Sequence, residues 1–238
     1  MEISPDAWVL YEWQGLHLNA TIVFTWGVMA LLVLVSWAIT ARLSEGETVS
    51  RWQVMLEVVV TTIRDQIDEV GAADPARYLP FIGTLFLFIA MSNLLIIIPG
   101  YEPPTGSLST TAALAICVLI AVPLFSITRR GLRGYFGSYL QPSPFMLPLN
   151  VIGELSRTIA LAVRLYGNVM SGTVIAGILI SVAPLFFPVL MQLLGLLTGL
   201  IQAYIFAILA MVYIASASRS RHRPTPDEPD PEQNTQGD

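Results

Sequence analysis

The chain has 238 residues, 54% of them hydrophobic and 12% charged, with a mean hydropathy of +0.66. Soluble domains carry about a quarter charged residues, so a bilayer rather than water is the implied solvent. The net charge of −5 comes largely from the termini and one loop and builds no basic patch, which leaves nucleic-acid binding without support, and the single cysteine, Cys117, excludes an intrachain disulfide and any cysteine-based metal spacing.

Met1 to Ala20 carries Glu2, Asp6 and Glu12 but no lysine or arginine, so it lacks the basic segment of a signal peptide. The apolar stretch that follows, 20–41, is expected to be a retained span, since crossing about 30 Å of hydrocarbon takes about 20 helical residues. Over 50–70, Trp52, Met55, Leu56, Val59, Ile63, Ile67 and Val70 recur at three- and four-residue steps, with Arg51, Glu57, Arg64, Asp65 and Asp68 on the other face. That pattern describes an amphipathic helix at the membrane surface, either a docking site for a partner or a solvated linker.

Two further spans are expected at 78–99, closed by Pro99-Gly100, and at 108–128, after the turn-rich stretch Glu102-Pro103-Pro104-Thr105-Gly106. The stretches 148–180 and 184–216 are each apolar for about 33 residues, or about 50 Å as helix, which exceeds the bilayer core. Such helices must break or tilt, and two long tilted helices forming a hairpin are expected. The fold class is therefore an all-α integral membrane protein with about five membrane helices, one polytopic domain over 1–223. The acidic, proline-rich tail 224–238 cannot bury apolar area and is expected to be disordered.

All 12 basic residues are arginines, clustered at 42–77, 129–133 and 219–223 apart from Arg157 and Arg164, while 1–19 and 100–107 have none. With positive loops on the cytoplasmic side, five spans place the N-terminus outside and the C-terminus inside.

Between Arg133 and Arg219 the only charged side chains are Glu154, Arg157 and Arg164. Their spacing, together with Asn150, Asn168 and Ser171, forms one polar stripe on a helix. An arginine at the centre of a membrane helix costs about 2.5–3.5 kcal/mol on insertion scales, so it marks a functional site by default. Arg157, near the helix start, can snorkel to the interface; Arg164 is too deep for that. For Glu154 and Arg157 a site role and a local salt bridge both fit. In a hairpin turning near Ala183 and Pro184, residues equidistant from the turn meet; the mean of 164 and 202 is 183, so Gln202 is expected to face Arg164. An amide can hold a guanidinium without neutralising it, although an interhelical bond alone would also explain Gln202. Gly167, Gly172 and Gly177, and Gly195, Gly199 and Ala203 on the next helix, are expected to let backbones or a partner helix come close. This arrangement permits a fixed positive charge to face a ring of helices that each carry one carboxylate, which must release its ion before passing.

The run from Ser156 to Gly172, with Arg164-Leu165-Tyr166-Gly167-Asn168 at its centre, resembles the arginine helix of subunit a of rotary F-type ATP synthases, whose pattern is Arg-Leu-Phe-Gly-Asn. The resemblance extends to Ser92-Asn93 ahead of Ile98-Pro99-Gly100, Pro104-Thr105 with Thr110-Thr111 and Leu114, Pro148-Leu149-Asn150 with Glu154, Gln202-Ala203-Tyr204-Ile205-Phe206, and Tyr213. It implies that Arg164 faces the carboxylates of the c-ring, with Asn168 and Gln202 matching polar residues of the same site and two half-channels meeting there. It also implies a bacterial inner-membrane stator subunit that partners the c-ring and peripheral stalk subunit b, carries protons, holds no nucleotide, cofactor or metal, and is not itself an enzyme.

Many members carry an acidic residue nine positions after the arginine and a His or Glu on the last helix; here those places hold Thr173 and Gly195. The outer route is then either a wetter path lined by Thr173, Ser171 and Thr198, or the complex carries sodium, which needs oxygen ligands. A stand-alone transporter or channel is the more distant alternative, and the chain shows no internal repeat of the kind such proteins often carry.

Overall fold

In hydrocarbon each backbone polar group must be satisfied within its own segment, and this chain meets that demand with helices. The computed structural model describes residues 9–13, 16–41, 51–69, 75–98, 100–140, 146–182 and 187–218. These form a short hairpin of β1 (Val9–Trp13) and β2 (Leu16–Asn19), then α1 (Ala20–Thr40), α2 (Arg51–Glu69), α3 (Pro75–Leu94), α4 (Leu108–Leu140), α5 (Met146–Val182) and α6 (Phe187–Ser218). Among the described residues five helices are long and apolar enough to cross a membrane, through Ala20–Ala38, Ala76–Ile97, Leu108–Thr128, Pro148–Leu179 and Val189–Ala217. The expected turn at Ala183-Pro184 and the acidic tail lie outside the described residues.

The hairpin is an addition to the all-helical expectation. β1 and β2 pair antiparallel, Trp13 opposite Leu16 and Val9 opposite Asn19, with an irregularity between Val9 and Tyr11. β2, Leu16-His17-Leu18-Asn19, does alternate apolar and polar residues, whereas β1, Val9-Leu10-Tyr11-Glu12-Trp13, does not.

Two helices differ in detail from their hydropathy. α3 carries Pro80 in its interior, where the Thr84 hydroxyl donates to the Pro80 carbonyl. α4 continues past the expected end at Thr128, but Gly131 takes φ 74° and ψ 165°, so two helical segments meet there at a break that glycine accommodates without a side-chain clash. By contrast α5 and α6, 37 and 32 residues long, run without a break. Tilt, or protrusion beyond the hydrocarbon, is left to absorb their excess length.

The connection between α3 and α4 is exposed at Ile97, Ile98, Gly100 and Glu102 but turns into the bundle just before α4. Pro104, Thr105, Gly106 and Ser107 are all buried. The turn closes by Gly106 N–H to the Pro103 carbonyl (2.9 Å) and Ser107 N–H to the Pro104 carbonyl (3.1 Å). The Ser107 hydroxyl then accepts the Ser109 N–H at 3.2 Å and caps α4.

α3, α4, α5 and α6 pack around one core that includes Tyr78, Ile89, Leu161, Leu165, Phe206, Met211 and Ile214, and α2 adds Ile67 to it. The outer surface carries large apolar side chains on every spanning helix. Polar residues such as Ser92, Asn93, Thr111, Ser126 and Gln202 are instead buried, the arrangement expected when the solvent is lipid.

Candidate functional site

Arg164 lies in the spanning part of α5, Pro148–Leu179. The buried face of this helix, Thr158, Leu161, Ala162, Leu165 and Val169, packs into the core, and this fixes which side Arg164 presents. Arg164 is exposed, beside exposed Ile159, Ala160 and Val163. Among the described residues it makes no hydrogen bond or ion pair. A guanidinium has five donors and is always charged, so the described part of the bundle leaves all five open to a further group.

Gln202 is not that group. It is 6% exposed, turned into the bundle, and its Nε2 has no hydrogen-bond acceptor. Asn93 of α3 is 1% exposed; its Nδ2 donates to the Ile89 carbonyl at 2.8 Å, while its Oδ1 has no donor. Gly199 lies directly against the Asn93 side chain, and Gln202 follows one turn later on the same face of α6. An unpaired donor and an unpaired acceptor therefore share the α3–α6 seam. Thr105 Oγ1 in the buried turn is also without a partner, and Tyr101 Oη, just ahead of the turn, has only the Ser92 hydroxyl nearby. Buried polar atoms are almost always hydrogen-bonded, so several exceptions in one region call for a visiting group such as water.

Burial pushes the Tyr101 hydroxyl well above the ordinary phenol value. The nearby Ser92 hydroxyl eases the shift, but its own proton goes to the Phe88 carbonyl at 2.7 Å. Tyr101 thus stays protonated through the physiological range and offers a neutral O–H. Sequence reasoning did not assign Tyr101 or Thr105 to the site; Thr105 entered only through the resemblance at Pro104-Thr105, and Tyr101 lies just ahead of the turn-rich stretch.

The other expected residues divide by helix face. The Arg157 guanidinium sits over the Tyr213 ring of α6, 5.5 Å from its centroid. The mean of 157 and 213 is 185 against the expected 183, so by this pair the residue level with Arg164 is Phe206, about one turn beyond Gln202 on α6. Glu154 is half-buried, and its backbone carbonyl accepts the Thr158 hydroxyl at 3.0 Å; Asn150 is exposed near the start of α5. Asn168 is half-buried, one turn beyond Arg164, and its carbonyl accepts the Ser171 hydroxyl at 3.1 Å. Thr173 donates to the Val169 carbonyl at 3.0 Å and Thr198 to the Leu194 carbonyl at 2.9 Å. Ser171, Thr173 and Thr198 therefore spend their protons on their own helices and offer only acceptor oxygens.

The expected close approach at the glycines occurs at one position. A Cβ built on Gly167, Gly172, Gly177 or Gly195 meets nothing within 4 Å, whereas one on Gly199 would collide with Asn93 at 2.6 Å.

Among the described residues, five helices long and apolar enough to span, with an exposed arginine midway along one of them, define a polytopic membrane protein. The family described as ATP synthase A chain matches residues 22–215, and the chain belongs to that family. It is 64% identical over 221 residues to ATP synthase subunit a 2 of Acaryochloris marina, covering 92% of this chain and 94% of the relative. To ATP synthase subunit a 1 of Chlorobaculum parvum it is 62% identical over 225 residues, 94% of this chain and all of the relative. To ATP synthase subunit a of Albidiferax ferrireducens it is 59% identical over 229 residues, 96% and 99%.

Proposed function

We propose that this chain is the proton-translocating stator subunit of the membrane sector of a rotary ATP synthase, and that Arg164 faces carboxylates carried on a ring of partner helices. The observation that carries the reading is an exposed, unpaired guanidinium among apolar residues in the middle of a span.

The chemistry follows from charge. A neutral, protonated carboxyl gains little beside Arg164, whereas an opposite charge within a few ångströms favours the ionised form. A carboxyl approaching Arg164 therefore gives up its proton before it pairs, and leaves the arginine to be reprotonated on the far side. Two separate access routes are needed, or the proton would return the way it came. The unpartnered Asn93 Oδ1, Gln202 Nε2, Thr105 Oγ1 and Tyr101 Oη support a hydrated outer approach along α3 and α6. In this reading the outer route runs away from Thr173 and Gly195. Glu154 and Arg157, nearer the start of α5, suit the inner route. The arginine distribution supports an outer N-terminus and a cytoplasmic C-terminus. In this reading nucleotide chemistry belongs to other subunits, and the ring and the stalk subunit b are the partners.

The test is ATP-driven ion uptake into liposomes holding the whole purified complex, comparing the parent with Arg164→Ala, with and without sodium and a protonophore. Acidification that is lost in the variant, with assembly intact, is the expected result. Uptake that persists in Arg164→Ala would overturn the assignment, and sodium uptake surviving the protonophore would replace the proton with sodium.

A further inference from the structure

Away from Arg164, α2 does not lie flush on the bundle. Between it and the α3–α6 pair is a cavity of about 140 Å³, walled by Val59 and Ile63 of α2, Ile82 and Phe86 of α3, and Ala207 and Met211 of α6. At its rim the Tyr204 hydroxyl donates to Gln66 Oε1 at 2.8 Å, and Gln66 Nε2 donates to Glu69 Oε2 at 3.2 Å.

We infer that this cavity is a binding site for one acyl chain of a bilayer phospholipid. Three observations lead to that occupant. First, the α3 and α6 walls belong to the spanning segments Ala76–Ile97 and Val189–Ala217, so the medium against the cavity is hydrocarbon. Second, of the polar side chains lining the cavity Tyr204 and Gln66 are bonded to each other, and the Thr62 hydroxyl alone falls short of the two to four partners a water needs; apolar cavities of about this size stay dry and take up apolar molecules. Third, the cavity is continuous with apolar surface: Val58, also on its wall, is 58% exposed, so a chain can enter from the lipid. An empty cavity would leave wall atoms without dispersion contacts on one side, and a flexible methylene chain, already the solvent, restores them. The bound chain wedges α2 against the back of α6, the side of the helix away from Gln202. The inference does not depend on the proposed role of Arg164.

The experiment reconstitutes the whole complex in vesicles containing a phosphatidylcholine with a photoreactive diazirine near the end of one acyl chain, then maps adducts by mass spectrometry. Adducts are expected on Ile63 and Phe86 as well as on the openly exposed Trp26 and Trp37 of α1. Ala207→Phe, which fills the cavity, should remove the adducts on Ile63 and Phe86 and leave those on Trp26 and Trp37; Val59→Phe, on the opposite wall, serves if Ala207→Phe does not assemble. Labelling of Trp26 and Trp37 alone in the parent would overturn the proposal, as would wall adducts that survive both substitutions. Wall labelling by a small free aryl diazirine but not by the lipid would overturn it too, assigning the cavity to small apolar molecules.

Discussion

Gly199 of α6 and Asn93 of α3 touch so closely that a Cβ on the glycine would lie 2.6 Å from the amide Cγ and Oδ1 and 2.9 Å from the Asn93 Cβ. The amide cannot swing away without cost, because its Nδ2 is bonded to the Ile89 carbonyl. Gly199→Ala should therefore destabilise the assembled subunit by about 1–3 kcal/mol, the usual penalty of overpacking. Asn93→Ala in the same chain removes the two nearest atoms and should recover part of that loss, the Asn93 Cβ at 2.9 Å still requiring a small shift. A double-mutant cycle on thermal dissociation of the complex reads the coupling; additive single effects would mean that the two residues do not share a contact.

Gln202→Leu separates stability from transport. A buried donor without an acceptor costs about 1–3 kcal/mol, so replacing the amide by an apolar group of similar size should leave the complex at least as stable. Transport should nevertheless fall without vanishing, because a polar contact on the outer approach is gone while Arg164 is untouched. Thermal dissociation and ATP-driven acidification, measured on one preparation, check both halves. An unchanged rate would remove Gln202 from the site.

Much of this arrangement is legible before any coordinates, and the reason is the solvent. Lipid forces long apolar helices, so four of the five spans appear with bounds near those expected, and a charge such as Arg164 stands out because nothing nearby in the sequence excuses it. The fifth, on α6, runs through Val189–Ala217, and residues 184–186 of the expected span lie outside the described residues. Contacts between helices are another matter. Asn93 and Gly199 are brought together by how α3 and α6 lie against each other, and no periodicity in either helix encodes that meeting. The glycine pattern suggested close approach of backbones or of a partner helix, and within this chain the approach occurs at Gly199. Gln202 was expected to meet Arg164 because hairpin arithmetic gives height along the helices only to about a turn, and not rotation about them. The same limit hid Tyr101 and Thr105, the first just ahead of and the second within a turn that reads as surface chemistry and is folded into the bundle.

Arg157 and Tyr213 provide a test of the α5–α6 register. The guanidinium lies 5.5 Å from the ring centroid, and such a pair contributes about 0.5–1 kcal/mol at an exposed site. Tyr213→Phe keeps the ring and should change little, whereas Tyr213→Leu should lower the thermal dissociation temperature modestly. Equal effects of the two substitutions would assign the role to the hydroxyl instead of the ring.

Tyr101 gives a prediction about pH. Burial favours its neutral form, so its folded pKa lies above the unfolded value near 10. A group raised in this way contributes stability that is fully present below the unfolded value and is lost as pH rises through the folded one, because the unfolded chain gives up its proton first. The assembled complex should accordingly weaken above about pH 10. Tyr101→Phe removes the titrating hydroxyl, which has no hydrogen-bond partner, and keeps the edge-to-face contact with Phe24 at 5.1 Å. The variant should be at least as stable as the parent at neutral pH and should lose less between pH 9 and 11, as read by dissociation temperature across a pH series. Parallel alkaline profiles for parent and variant would show that Tyr101 is not the group responsible.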